Sequence, residues 1–143
     1  MTSPFVPALL IVASAAILFT LGALHLFFTF VGTRLHPREA AVRAAMEGAH
    51  PGLTRETTMW RTWIGFNASH SYGALLFGLV WGYLAVARAA VLFGSAFLLG
   101  LGLVALVAYL WLGYRYWFSV PRRGILLATV LYSVAVLVVV FGG

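Results

Sequence analysis

Two histidines stand in stretches otherwise made almost wholly of apolar residues, His25 within residues 20–30 and His70 within residues 64–76. An imidazole can ligate a metal or haem iron, donate and accept hydrogen bonds, or change charge near neutral pH. Asn67, Ser69, Ser71 and Tyr72 surround His70 in sequence. Tyr109, Thr129, Tyr132 and Ser133 interrupt the later apolar runs.

Four chemistries suit this set. His25 and His70 could ligate haem b from facing helices. Gly22 and Gly73, each three residues from a histidine, would leave room for the macrocycle, and Arg34, Arg61 or Arg115 could pair with its propionates. His25, Asn67, His70, Ser71, Tyr109 and Tyr132 could instead bind the head group of a quinone or lipid. The histidines could carry protons or ions. The plainest reading is a set of hydrogen bonds that fix helix register, each stabilising by about 0.6 kcal/mol.

Other chemistries are excluded or poorly supported. The chain has no cysteine, which removes disulfides, iron–sulfur clusters and thiolate catalysis. No bound metal is expected: Glu39, Glu47 and Glu56 lie together outside the apolar runs, and His36 and His50 lack ligand spacing. There is no H-E-x-x-H, G-x-S-x-G or phosphate loop. In Ser69-His70-Ser71 the neighbours point about 100° apart on a helix, so adjacency makes no nucleophile–base pair.

The elements that hold these residues follow from composition. Of 143 residues, 63% are hydrophobic and 8% charged. A soluble domain is about 45–50% apolar and about 25% charged, and a chain this short could not hide the excess. Lipid is the expected solvent. A window of about 20 residues, the length that crosses a bilayer, gives four helices over residues 5–32, 63–87, 89–114 and 125–141. The first lacks a basic leader and exceeds a signal peptide's apolar core of about 7–15 residues, so it is expected to remain as a membrane helix.

The charges are sorted. All nine basic residues are Arg. Five (Arg34, Arg38, Arg43, Arg55 and Arg61) lie between spans one and two, and three (Arg115, Arg122 and Arg123) between spans three and four; Arg88 alone falls on the other side. The positive-inside rule then places both termini outside. The net charge of +6 is read as membrane orientation, not nucleic-acid binding. Arg without Lys, with abundant Ala, Gly, Val and Leu, fits a GC-rich bacterial gene and the bacterial cytoplasmic membrane. Trp60, Trp63, Trp111, Tyr114, Tyr116 and Trp117 fall near the cytoplasmic ends, and Trp81 and Tyr83 near an outer one. All are read as interfacial anchors.

The first loop carries structure of its own. His36-Pro37-Arg38-Glu39 reads as a helix start with Pro at the first helical position. The helix runs to Gly48, with Glu39 and Arg43 as an i,i+4 pair, and His50-Pro51-Gly52 ends it. A short interfacial helix is the expectation, and a lid over a site the sharper alternative. Thr54 reads as the cap of the second span.

Depth and faces agree. His25 lies about eight residues, roughly 12 Å, from the cytoplasmic end of span one, and His70 a similar distance into antiparallel span two. His25 shares a face with Gly22 and Thr29. His70 shares one with Asn67, Ala74, Gly78 and Gly82. Small residues at this spacing permit close helix approach in lipid, so Gly22, Ala74, Gly78 and Gly82 are expected to pack helices.

Trp60-Arg61-Thr62-Trp63-Ile64-Gly65-Phe66-Asn67-Ala68-Ser69-His70-Ser71, followed by Gly73 and Phe77-Gly78, resembles an uncharacterised family of small bacterial membrane proteins with a W-x-x-W-I-G-F-N-x-S-H-S motif. Residues 114–121 (YRYWFSVP) resemble its second signature, and Gly22 to Leu26 and Leu35-His36-Pro37 are similar too. The resemblance covers nearly the whole chain. It implies four membrane helices and a shared polar site around Asn67 and His70, and no activity.

The sequence therefore predicts an all-α, single-domain (1–143), four-span bundle with a polar site in its cytoplasmic half. The leading functional expectation is an accessory subunit or a membrane component that binds a small ligand or lipid. Partners would be the bilayer, other subunits or further copies of the chain. A haem- or quinone-binding oxidoreductase using His25 and His70 is the alternative. A proton-coupled transporter is third and would need a homo-oligomer, since four spans show no inverted repeat.

Overall fold

The long apolar runs become helices because lipid leaves every backbone N–H and C=O to be satisfied within its own segment. A computed structural model describes residues 5–142. It contains α1 (Phe5–Phe30), α2 (Ala40–Gly48), α3 (Met59–Ala87), α4 (Ala89–Phe93), α5 (Ala96–Tyr116) and α6 (Ser119–Phe141), with no strand among the described residues. Helices α1, α3, α5 and α6 are long and apolar enough to cross a membrane.

The helix ends depart from expectation where caps outweigh hydropathy. Helix α1 stops as Gly32 takes φ 81°, a left-handed conformation that side chains with a Cβ resist. Helix α2 begins three residues after Pro37. Residues 33–36 close a turn, with His36 N–H donating to Thr33 O at 3.0 Å. Glu39 then sits at the N-cap with extended φ −85°, ψ 119°. Its carbonyl accepts from Arg43 N–H at 3.4 Å, but the Arg43 side chain pairs with Glu47 at 2.9 Å and not with Glu39.

Thr54 does not cap α3. Its hydroxyl accepts from Glu56 N–H within a local turn at 3.1 Å, and Thr58 takes the capping role by accepting from Arg61 N–H at 3.3 Å. The expected third span over residues 89–114 is split. Gly94 ends α4, and Ser95 starts α5 by accepting from Leu98 N–H. Helix α6 starts at Ser119 and runs through Arg122 and Arg123, which a hydropathy window discounts. Pro121 is tolerated because the first-turn amides lack intrahelical partners anyway.

The described residues fall into two compact units, one of residues 5–21 with 74–142, the other of residues 22–73. The first holds the apolar core. Ile11, Leu18, Phe77, Leu92, Leu106 and Tyr132 are buried there. Its helices approach closely: a Cβ on Gly78 would fall 2.6 Å from Phe19 Cβ and 2.8 Å from Ala15 O, while Gly82 would meet Ala15 Cβ at an ordinary 3.6 Å. Ala74 is buried beside them. A Cβ on Gly102 would overlap the Tyr132 hydroxyl and come within 2.5 Å of Trp81 Nε1.

Trp81 is no interfacial anchor. It is buried, stacked on Phe77 with ring centroids 4.7 Å apart, and its indole N–H donates to Leu98 O at 3.2 Å. Sequence position suggested an interface, but the glycine at 102 opens the space that draws the ring inward. Tyr83 stays exposed.

Candidate functional site

The second unit contains the ends of α1 and α3 that flank the loop, together with α2. Within it, α1 presents His25 and Thr29 one turn apart, and α3 presents Asn67, His70 and Ser71 on one face. His25 Nε2 lies 2.9 Å from Asn67 Oδ1. Asn67 Nδ2 donates to Trp63 O one turn back, at 2.8 Å. The His70 ring meets the His25 ring edge to face, with centroids 5.6 Å apart and planes at 79°.

These contacts fix hydrogen positions by elimination. The Asn67 amide nitrogen is committed as donor to a carbonyl, so its oxygen faces His25 as acceptor. His25 Nε2 must then carry a proton and donate. In the neutral ring the lone pair falls on Nδ1. A buried asparagine thus sets the tautomer of a half-buried histidine.

Hydroxyls complete the backbone. Thr29 Oγ1 donates to His25 O and Ser71 Oγ to Asn67 O, each at 2.8 Å. Asn67, Ser71 and Thr29 are buried, whereas His25 and His70 are only half-buried. Phe66, Ser69 and Tyr72 beside them on α3 are exposed. The cluster is thus more deeply buried at Asn67, Ser71 and Thr29 than at the two histidines.

A bis-histidine haem needs its macrocycle between the two rings. Here the rings touch, and His25 Nε2 is a donor to Asn67. The arrangement does not fit that group. The described residues contain no cluster of three or more His, Cys, Asp or Glu suited to a metal ion.

The remaining expected residues divide between the two units. Gly22 is buried in the same unit as His25. Tyr109 and Tyr132 belong to the core unit. Tyr132 O–H donates to Leu99 O at 3.2 Å, and Tyr109 packs against Trp117. Thr129 and Ser133 each donate to a carbonyl one turn back in α6.

A second cluster in the unit was not anticipated. The Arg43 guanidinium lies over the Trp60 ring at 4.8 Å and donates to His36 Nδ1 at 3.1 Å; His36 also meets Trp60 edge to face at 4.9 Å. Trp63 Nε1–H donates to Leu35 O at 3.2 Å. This clasp ties α2 and the start of the loop to the start of α3. The seven-residue spacing of His36 and Arg43 hinted at one face, but Trp60 enters only through the return of the chain.

No family model, curated protein or solved structure matches the chain.

Proposed function

We propose that the chain is a multi-pass protein of the bacterial cytoplasmic membrane, with both termini outside and α2 at the cytoplasmic interface. It binds the hydrogen-bonding head group of a small amphiphile, a lipid or a quinone, at His25, Asn67 and His70. One observation carries this reading: a buried Asn67 holds one imidazole in a defined tautomer, while both imidazoles remain half-exposed on helices otherwise clothed in apolar side chains. Hydrogen bonds made only to fix register would favour full burial. Polar groups left within reach of lipid are functional candidates by default. The Nδ1 left on His25 accepts from the head group, with the His70 ring beside it, and exposed Phe66 and Tyr72 supply apolar surface along which a tail can lie.

The test is mass spectrometry of lipids and quinones that co-purify in mild detergent. Wild-type protein is expected to retain a defined species, and Asn67→Leu and His70→Ala to reduce it at least about tenfold, equivalent to about 1.4 kcal/mol of binding. Equal retention by all three proteins would overturn the reading. A Soret band in the purified protein that His25→Ala abolishes would restore the haem alternative.

A further inference from the structure

Helix α2 is held to the protein by little of its surface. Arg43 is drawn in through the clasp on His36 and Trp60, and Met46 beside it is half-buried. The rest of the helix is exposed, charged Glu47 as well as apolar Ala41, Val42 and Ala45, and no residue of the helix is buried. An ordinary surface helix packs its apolar stripe on the core. Two turns further on, Leu53 is 95% exposed at the tip of a loop. That loop is closed at its base by Met59 N–H donating to Ala49 O at 2.9 Å and by the 2.8 Å contact of His50 Nδ1 with Thr57 O. Leu53 is therefore presented on a tied loop.

The surroundings specify the occupant. Glu47 is neutralised by Arg43. Arg38, Arg55 and Arg61 are exposed near this apolar surface in sequence, against Glu39 and Glu56. The segment leaves and rejoins the bilayer through α1 and α3, so lipid head groups are its nearest neighbours. Apolar side chains bordered by arginine suit the boundary of an anionic leaflet.

We infer that α2 and the Leu53 loop form a lipid-reading surface: Val42 and Leu53 enter the head-group boundary, and Arg38 and Arg55 bind the phosphates of anionic lipids. This inference rests on the proposed placement of α2 at the cytoplasmic interface, not on the ligand reading at His25, Asn67 and His70.

The chain has no cysteine, so Val42→Cys, Leu53→Cys and, on the side of α2 opposite Val42, Ala44→Cys each accept a single environment-sensitive fluorophore. The labelled full-length proteins go into nanodiscs at one chain per disc. The discs are of phosphatidylcholine alone or with phosphatidylglycerol, and carry lipids bearing a shallow spin-label quencher. Labels at 42 and 53 are expected to be quenched about twofold more than the label at 44, and more strongly with phosphatidylglycerol; Arg38→Gln with Arg55→Gln should remove that lipid dependence. Equal quenching at all three positions, or none in either lipid, overturns the inference. So does burial of the labels that appears only at several chains per disc, which would assign the surface to a second copy.

Discussion

The two compact units differ in what their polar side chains meet. In the core unit, Ser14, Trp81, Tyr132 and Thr129 donate to backbone carbonyls, and Ser14 reaches across from α1 to Ala128 O on α6 at 2.8 Å. Those bonds disarm polar atoms so that apolar side chains and glycines can close up. In the unit of residues 22–73, Thr29 and Ser71 also donate to carbonyls, but polar side chains meet one another as well: His25 with Asn67, Arg43 with His36, Arg43 with Glu47. The apolar core cluster of buried residues lies wholly in the first unit. The difference teaches where to seek stability and where to seek recognition.

Substitutions can break or sharpen that contrast. Gly102→Val should have the largest effect, about 3 kcal/mol of lost stability, because the new side chain must displace Tyr132 and Trp81. A denaturant titration in detergent micelles reads it. Tyr132→Phe should cost about 1 kcal/mol by removing the hydroxyl bound to Leu99 O, while leaving ligand retention unchanged. Asn67→Leu should cost only about 0.6 kcal/mol in the same titration yet lose the co-purifying amphiphile. A loss of stability matching that of Gly102→Val would erase the distinction between the units. The smallest global effect belongs to Trp60→Ala. Removing the ring beneath Arg43 should cost under about 1 kcal/mol, but amide exchange in α2 should accelerate several-fold while exchange in α5 stays fixed.

Much of this was legible in the sequence. The four long helices announce themselves by hydropathy, since no other segment could satisfy its backbone in lipid. That His25, Asn67 and His70 meet follows from counting residues inward along two antiparallel helices. Other features were hidden because hydropathy averages over what caps decide locally. The Gly94-Ser95 break vanishes inside a window of about 20 residues, yet it contains a helix stop and a capping hydroxyl in succession. Thr54 and Thr58 are alike as residues, and only the turn at Pro51, whose carbonyl accepts from Thr54 N–H at 3.2 Å, shows which one is already engaged. Trp81 reads as an anchor until its ring is seen packed against the bare backbone of Gly102.

The split at Gly94-Ser95 has one more effect, on the choice of membrane. It shortens α5 to 21 residues, whereas α1 has 26 and α3 has 29. At about 1.5 Å per residue, α5 is about 31 Å long, close to the hydrocarbon thickness of an average bilayer. The longer helices can tilt or project to suit a thinner or thicker membrane, but α5 has no length in reserve. A bilayer only a few ångströms thicker would draw the capped serine at one end and Arg115 at the other into hydrocarbon. Among the four helices long enough to cross a bilayer, the one made short by a glycine and a hydroxyl therefore leaves the least margin for a thicker membrane.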